Sequence, residues 1–443
     1  MHENRMGTER LPKLIMLMSL PAMFSMLIQS LYNVVDSYYV SQLSEQAFRA
    51  VTIAMPMQQL LIAVGVGTAV GANSFIARSL GEKNQQMANR AAVHGFFLCG
   101  ANWLLFLCIG LFFAPFFYAQ FTVDPLVQTQ GISYLRIVCS LSGGSILLIM
   151  IEKILQATGD MIRPMLMQLT GAVINIVLDP ILIFGLGPFP AMGVSGAAIA
   201  TVFSQWAACG LALFLLFREN HGVDLTLRKF RPSKEILHKI YQVGLPSILI
   251  ISITSFMVMT LNSLLRKVSE QLISVLGVYF RLQSFVFMPI FGMTQGLMPI
   301  MAYNYGAKNR ARLMGALRIG ILVSLLIMTG GFFLFQTQAD ALLFLFNATP
   351  LMMEMGVPAL RIISLAFWFA GVNICLSTFF QALGLGKHSL LLSLSRQYVF
   401  IVPLVAIFRF ISIPLTWLSF LIVETISLVV AYILFRRVRA DYL

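Results

Sequence analysis

The sequence predicts an all-α membrane protein of twelve transmembrane helices in two six-helix lobes, related by a pseudo-two-fold axis along the membrane normal. Three observations carry this expectation: a composition that cannot cover a water-facing surface, a series of apolar runs of spanning length, and a repeat at one fixed offset. Of 443 residues, 58% are hydrophobic and 11% charged, with a mean hydropathy of +0.86. A soluble domain carries about 25% charged residues, so this chain needs lipid as its solvent. Disorder, collagen and a disulfide scaffold are excluded on the same ground.

A bilayer core of about 30 Å requires about 20 apolar residues per helix. Twelve runs reach that length, centred near residues 27, 64, 103, 142, 175, 205, 254, 288, 325, 370, 399 and 424. The polar start MHENRMGTERLPK leads into a run longer than a signal-peptide core, which reads as an uncleaved first span. A β-barrel would show alternating strands of about ten residues, and these runs are too long and too uniformly apolar for that.

Thirty Lys and Arg against seventeen Asp and Glu give a formal charge of +13. The distribution of the basic residues orients the chain. With the N-terminus in the cytoplasm, only Arg49, Arg266, Lys267 and Arg409 fall in outer loops, and Arg136, Arg281 and Arg361 fall near or within spans. The remaining twenty-three fall in inner segments, including Arg78, Lys83, Lys153, Arg228, Lys229 and Lys308. The charge is therefore a topogenic signal facing an anionic leaflet, with both termini cytoplasmic, and not a nucleic-acid patch.

The chain also repeats itself. Pro21 aligns with Pro246, Ser44-Glu45-Gln46 with Ser269-Glu270-Gln271, and Gly67 and Gly71 with Gly292 and Gly296. Gly81-Glu82-Lys83-Asn84 aligns with Gly306-Ala307-Lys308-Asn309, Arg136-Ile137 with Arg361-Ile362, and Gln156-Ala157-x-Gly159 with Gln381-Ala382-x-Gly384. Every pair is 225 residues apart. Six spans per half bring both halves into the membrane from the same side. The expected organisation is an N-terminal lobe over 1–217, a cytoplasmic linker over 218–240 and a C-terminal lobe over 241–443. Parallel repeats of this kind are a transporter architecture.

Most acids lie in loops or at span ends, but Asp36, Asp179 and Glu424 lie inside spans. A carboxylate near the bilayer centre costs about 2.5–3.5 kcal/mol on insertion scales. Counting about 1.5 Å per residue from the span ends brings Asp36, Asp179 and Thr201 to one depth in the outer half of the first lobe. Asn175 precedes Asp179 by four residues and Ala197 precedes Thr201 by four, so each pair shares a helix face. Pro180 frees a backbone carbonyl beside Asp179. Two carboxylates, an amide oxygen, a hydroxyl and a carbonyl suit a proton or a hard cation, and two close carboxylates titrate as a coupled pair. The competing reading makes both aspartates hydrogen-bonded structural acids. Glu424 either pairs with Arg281, which is favoured, or serves as a second coupling acid.

Five scattered cysteines and five histidines without HxxxH or CxxC spacing suggest no metal centre, and no nucleophile–base set suggests an enzyme. Twenty-five Met and thirty-six Phe supply adaptable and aromatic surface suited to varied organic cations.

These residues resemble one known family. The twelve spans, the six-plus-six repeat, Pro21 with Asn33-x-x-Asp36, ARSLGEKN after the second span, QATGDMIRP after the fourth, NYGAKN and QALGLGK together look like a MATE (multidrug and toxic compound extrusion) transporter. The bacterial DinF-like branch is the most similar, and the resemblance covers essentially the whole chain. It implies the MATE/MOP-type fold and cation-coupled export, driven by H⁺ or Na⁺, of amphipathic and often cationic drugs by alternating access. It places the coupling site on Asp36, Asn175, Asp179 and Thr201, with Ala197 contributing a carbonyl. Na⁺, where it is the coupling ion, falls on Asp36, Asn175, Asp179 and Thr201. Pro21, Tyr32, Asn33 and Tyr134 are the supporting positions. Spans seven and ten lack the acids that the NorM-type branch uses, so no second-lobe site of that kind is expected. No cofactor is implied beyond the coupling ion. The expected partners are small-molecule drugs and membrane lipids, not nucleic acid, and the expected state is a monomer in the bacterial plasma membrane. The alternative is a lipid-linked oligosaccharide flippase of the same superfamily.

Overall fold

The computed structural model describes residues 5–218, 222–225, 230–346 and 348–442, while the side chains of Asn33 and Glu270 lie outside what it describes. His2, His221, Arg228 and Lys229, which the sequence assigned to connectors, also lie outside the described residues. Among the described residues fourteen long helices follow in order. They are α1 (Leu11–Ser41), α2 (Glu45–Gly81), α3 (Gln85–Phe121), α4 (Pro125–Ser140), α5 (Gly143–Thr158), α6 (Ile162–Phe184) and α7 (Gly193–Arg218), then α8 (Lys234–Arg266), α9 (Glu270–Gly306), α10 (Arg310–Thr337), α11 (Pro350–Ser364), α12 (Phe367–Ala382), α13 (Gly386–Phe408) and α14 (Ile413–Tyr442). Ten are long and apolar enough to cross a membrane alone, and α4–α5 and α11–α12 do so as bent pairs, giving twelve spans.

The two bends, of 43° and 50°, replace the uninterrupted runs that the sequence suggested near 142 and 370. In the first, Ser140, Ser142, Gly143 and Gly144 crowd the break, and Gly/Ser clusters are a common cause of kinks. Inside a membrane the freed carbonyls must be satisfied by protein. Trp103 Nε1 donates to the Ser140 carbonyl at 2.9 Å and Trp206 Nε1 to that of Leu141 at 3.0 Å. At the second break Gln336 Nε2 donates to the Arg361 carbonyl at 2.8 Å.

The repeat is visible in local geometry. Ser44 and Ser269 cap α2 and α9 by accepting from Ala47 N at 3.0 Å and Gln271 N at 3.2 Å. Lys83 and Lys308 both take left-handed backbone conformations, with φ of 59° and 55°. Asn84 and Asn309 then cap α3 and α10 by accepting from Met87 N and Arg312 N. A helix stop, a left-handed residue and a new N-cap within three residues make the GEKN and GAKN motifs tight helix–helix turns.

The chain divides into two compact units, but not at the expected linker. One holds Phe24–Ile248 and the other holds Leu249 onward together with the start of the chain up to Met23. The divisions fall inside α1 and α8, two residues after Pro21 and Pro246. Each proline removes an intrahelical hydrogen bond and loosens its helix there. Within the Phe24–Ile248 unit the described part of the 218–240 segment is tied to α3: Gln85 Nε2 donates to the Gly222 carbonyl at 2.6 Å and Ser233 N to His94 Nε2 at 2.9 Å.

Paired glycines explain why the first halves of α1 and α8 pack where they do. In the Phe24–Ile248 unit a Cβ on Gly67 would stand 2.6 Å from Ile248 N, and one on Gly71 would stand 2.9 Å from Gly244 N. In the other unit a Cβ on Gly292 would stand 2.5 Å from Met23 Cα, and one on Gly296 2.8 Å from the Met18 carbonyl. Ser19 Oγ adds a hydrogen bond to the Met293 carbonyl at 3.3 Å. These are Gly-x-x-x-Gly contacts, in which small residues let helix backbones touch. Gly71→Leu and Gly296→Leu should each destabilise the protein by about 3 kcal/mol or more, because backbone cannot yield as a side chain can. Loss of the monodisperse peak in fluorescence-detected size exclusion checks this; two wild-type profiles would contradict the contacts.

Candidate functional site

The unit Phe24–Ile248 holds a cluster of buried and half-buried polar groups on α1, α2, α4 and α6. Asp179 is fully buried and Asn175 is 1% exposed, one turn apart on α6. Asn175 Nδ2 donates to Asp179 Oδ1 at 3.2 Å. Asp36, on α1, lies within electrostatic reach of Asp179. Tyr32, one turn before Asp36, lies within reach of both carboxylates, and Tyr134 on α4 within reach of Asp36.

Three oxygens in this cluster are buried without a hydrogen-bond partner: Asp36 Oδ1, Asp179 Oδ2 and Asn175 Oδ1. An unpaired buried acceptor costs about 1–3 kcal/mol, and native interiors retain few of them. All three are acceptors, so what would satisfy them is a proton or an oxygen-seeking cation. Pro180 follows Asp179 inside α6 and withdraws the amide hydrogen that would have reached the carbonyl four residues earlier.

Ala197 and Thr201 lie on α7, which packs against α6. Their helices meet at backbone distance, since a Cβ on Gly196 would stand 2.7 Å from the carbonyl carbon of Leu182. Ala197 is 1% exposed. The Thr201 carbonyl accepts from Ser204 Oγ at 2.8 Å, and among the described residues no hydrogen bond joins the Thr201 hydroxyl to either carboxylate. Pro21 belongs to the other unit, and the side chain of Asn33 lies outside the description.

Sequence reasoning missed Gln58, whose Nε2 donates to Tyr134 Oη at 2.8 Å. The signal was present: Gln58-Gln59 interrupts an apolar stretch of α2. It also missed a second buried set on α2, α5 and α6. Lys153, counted there as an inner-segment cation, is 8% exposed inside α5 and donates to Gln156 Oε1 at 2.8 Å. Beside it, Gln168 Nε2 donates to Glu152 Oε2 at 3.1 Å, and Asn73 Nδ2 to the Lys153 carbonyl at 2.7 Å.

The expected Arg281–Glu424 pair is corrected. Glu424 is paired with Arg396: Nη2 meets Oε1 at 2.7 Å and Nε meets Oε2 at 2.9 Å. Asn373 Nδ2 adds 2.7 Å to Oε2. Arg281 is exposed. The error came from counting Arg396 as an inner-end cation. It stands in a π-turn, Ser395–Val399, which re-aims its side chain toward α14.

The two units are not chemically equivalent. The positions 225 residues after Asp36 and Asp179 are Leu261 and Leu404, while those 225 before Arg396 and Glu424 are Gly171 and Ile199. One repeat carries two acids with unpaired oxygens, and the other a neutralised ion pair.

A chain of twelve helical spans in two repeats, with polar groups buried within its spans, defines the class as a membrane transporter. The MatE family model matches residues 21–181 and 246–407, one match per repeat. The multidrug export protein MepA of Staphylococcus aureus is 25% identical over 436 residues, covering 97% of this chain and 95% of that protein. The FAD transporter of Shewanella oneidensis is 26% identical over 409 residues, covering 90% and 88%. Among solved structures, an outward-facing multidrug resistance MATE family transporter of the MOP superfamily superposes with a TM-score of 0.92 at 28% identity, covering 99% of this chain and 98% of that one. The chain belongs to the MatE family, a family of multi-pass membrane transporters and not of enzymes.

Proposed function

We propose that the protein is a cation-coupled multidrug exporter of the bacterial plasma membrane, with both termini cytoplasmic, that moves amphipathic and often cationic drugs by alternating access. The observation that carries this reading is the group of three unpaired acceptor oxygens on Asp36, Asp179 and Asn175. A ligand drives a conformational change only through a difference in affinity between the states. A buried carboxylate pair supplies such a difference for a proton or Na⁺, because its charge is stabilised by the ion in one state and by water in the other. Asn175 orients Asp179, Gln58 orients the Tyr134 hydroxyl, and Thr201 and the Ala197 carbonyl are the neighbouring oxygens available to Na⁺. The export direction and the drug class come from the likeness to multidrug export proteins.

Drug efflux from proteoliposomes, with proton and sodium gradients imposed separately, tests this reading and identifies the coupling ion. Efflux that ignores both gradients would overturn it. The orientation has its own test. Single cysteines at Thr122 and Thr349 should react with an impermeant thiol reagent from outside, and one at Ser233 should not; the reverse pattern would reverse the topology.

A second reading, export of a flavin dinucleotide, is favoured by the FAD transporter relative. It requires FAD to compete with ethidium for efflux, whereas the multidrug reading requires other amphipathic cations to compete and FAD not to.

A further inference from the structure

In the unit that begins at Leu249, α10 and α14, joined by α12 at the first, line two adjoining open cavities of about 590 and 580 Å³. Both volumes lie within the usual ligand range of about 300–1,000 Å³. The first is an apolar groove: Leu428, Val429 and Phe435 of α14 face Met314 and Ile321 of α10, with Leu376 of α12 closing it. On α14 the lining positions run from Thr425 to Arg439 on one helical face. The stretch from Thr425 to Phe435 is about 15 Å long, the hydrocarbon depth of one leaflet.

The second cavity continues from the first at the C-terminal end of α14. The two share Tyr432, Phe435 and Arg439. Arg318 closes the apolar groove on this side, and Arg310 and Arg436 line the second cavity. Among the described residues no Asp or Glu lines either cavity. Arg318, Arg436 and Arg439 form no salt bridge among the described residues. The Arg436 guanidinium stands 6.0 Å over the Tyr432 ring, which holds it at the junction of the apolar and basic parts. Tyr432 is 57% exposed, a side chain with one apolar and one wet end, as found at membrane interfaces.

A one-leaflet-deep apolar slot that opens onto a group of arginines, with no Asp or Glu among the described lining residues, has the shape and charge of one ligand class. We propose that this groove binds an anionic phospholipid of the leaflet on the C-terminal side, its acyl chain between α10, α12 and α14 and its phosphate among Arg318, Arg436 and Arg439. Basic pockets between spans at a cytoplasmic surface recognise lipid head groups in this way, and guanidinium groups bind phosphate oxygens bidentately. The inference goes beyond the transport reading and does not depend on what the protein exports.

Native mass spectrometry of the full-length protein in a non-ionic detergent tests it, with phosphatidylglycerol and phosphatidylcholine of the same chains added in turn. Phosphatidylglycerol should be retained selectively by the wild type. Arg436→Gln/Arg439→Gln should bind it about thirty-fold more weakly, as the loss of two arginines at an anionic surface implies. Arg437→Gln, which lines neither cavity, should leave the selectivity unchanged. Val429→Trp, which fills the apolar groove, should weaken retention of both lipids. Equal retention of the two lipids by the wild type would overturn the proposal, and so would an equal loss in Arg437→Gln. Inorganic phosphate that displaces phosphatidylglycerol at the same concentration would overturn it by reducing the site to a bare anion site.

Discussion

Asp36→Asn should reduce ethidium efflux to the level of cells lacking the transporter, at wild-type abundance in the membrane. The substitution keeps the size of the side chain and a hydrogen-bonding group, so helix α1 should insert and pack as before. What it removes is the charge on one of two carboxylates that lie within electrostatic reach of each other. A neutral amide neither exchanges a proton nor binds a hard cation strongly, so the ion no longer discriminates between transport states. Losing about 1.4 kcal/mol of that discrimination already reduces coupling about tenfold. Asp179→Asn should behave similarly, although Asp179 retains an amide neighbour in Asn175 at 3.2 Å. The double variant should be little worse than either single one, because residues acting as one unit are strongly non-additive. Thr201→Ala should cause a milder loss, since no hydrogen bond ties its hydroxyl to either acid.

The second large effect is expected on stability. The Arg396 and Glu424 side chains are 11% and 15% exposed and share a bidentate ion pair. Removing one partner of a buried pair leaves the other charge unpaired and costs about 3–5 kcal/mol. Glu424→Ala should therefore lower the thermal midpoint of the purified protein strongly. It also strips Asn373 Nδ2 of its 2.7 Å acceptor. Arg396→Met/Glu424→Leu, which removes both charges, should recover most of the loss, as apolar replacement of whole buried pairs does elsewhere. A Glu424→Ala midpoint within a degree or two of wild type would mean that water or lipid head groups reach Arg396.

How much of this could be read from the sequence differs by feature, for physical reasons. The helices were legible because lipid enforces about twenty apolar residues per span, and the repeat was legible because its turns need particular residues. Asn84 and Asn309 must cap, and Gly71 and Gly296 must admit a backbone. The unit boundary was not legible. Composition marks the polar 218–240 segment, but the division falls in α1 and α8 just after Pro21 and Pro246, where packing on glycine faces decides membership. The bend between α4 and α5 had a signal in Ser140–Gly144, whereas the Ser364–Phe367 break has no such composition. Asp36 and Asp179 stood out because acids in spans are rare. Arg396 did not, because its inward aim depends on a π-turn that no local pattern announces. Gln58 and the Glu152–Gln168 contact likewise depend on which helix faces meet.

The proposed transport cycle depends on the Asp36–Asp179 pair converting an ion gradient into drug movement. The most direct measurement is ethidium transport in proteoliposomes of wild type and Asp36→Asn, reconstituted at equal density, with the coupling gradient imposed and then reversed. Wild-type transport should follow the sign of the gradient, and Asp36→Asn should transport at the protein-free rate under both. Gradient-driven transport by Asp36→Asn at the wild-type rate would contradict this cycle and leave the buried aspartates as structural acids.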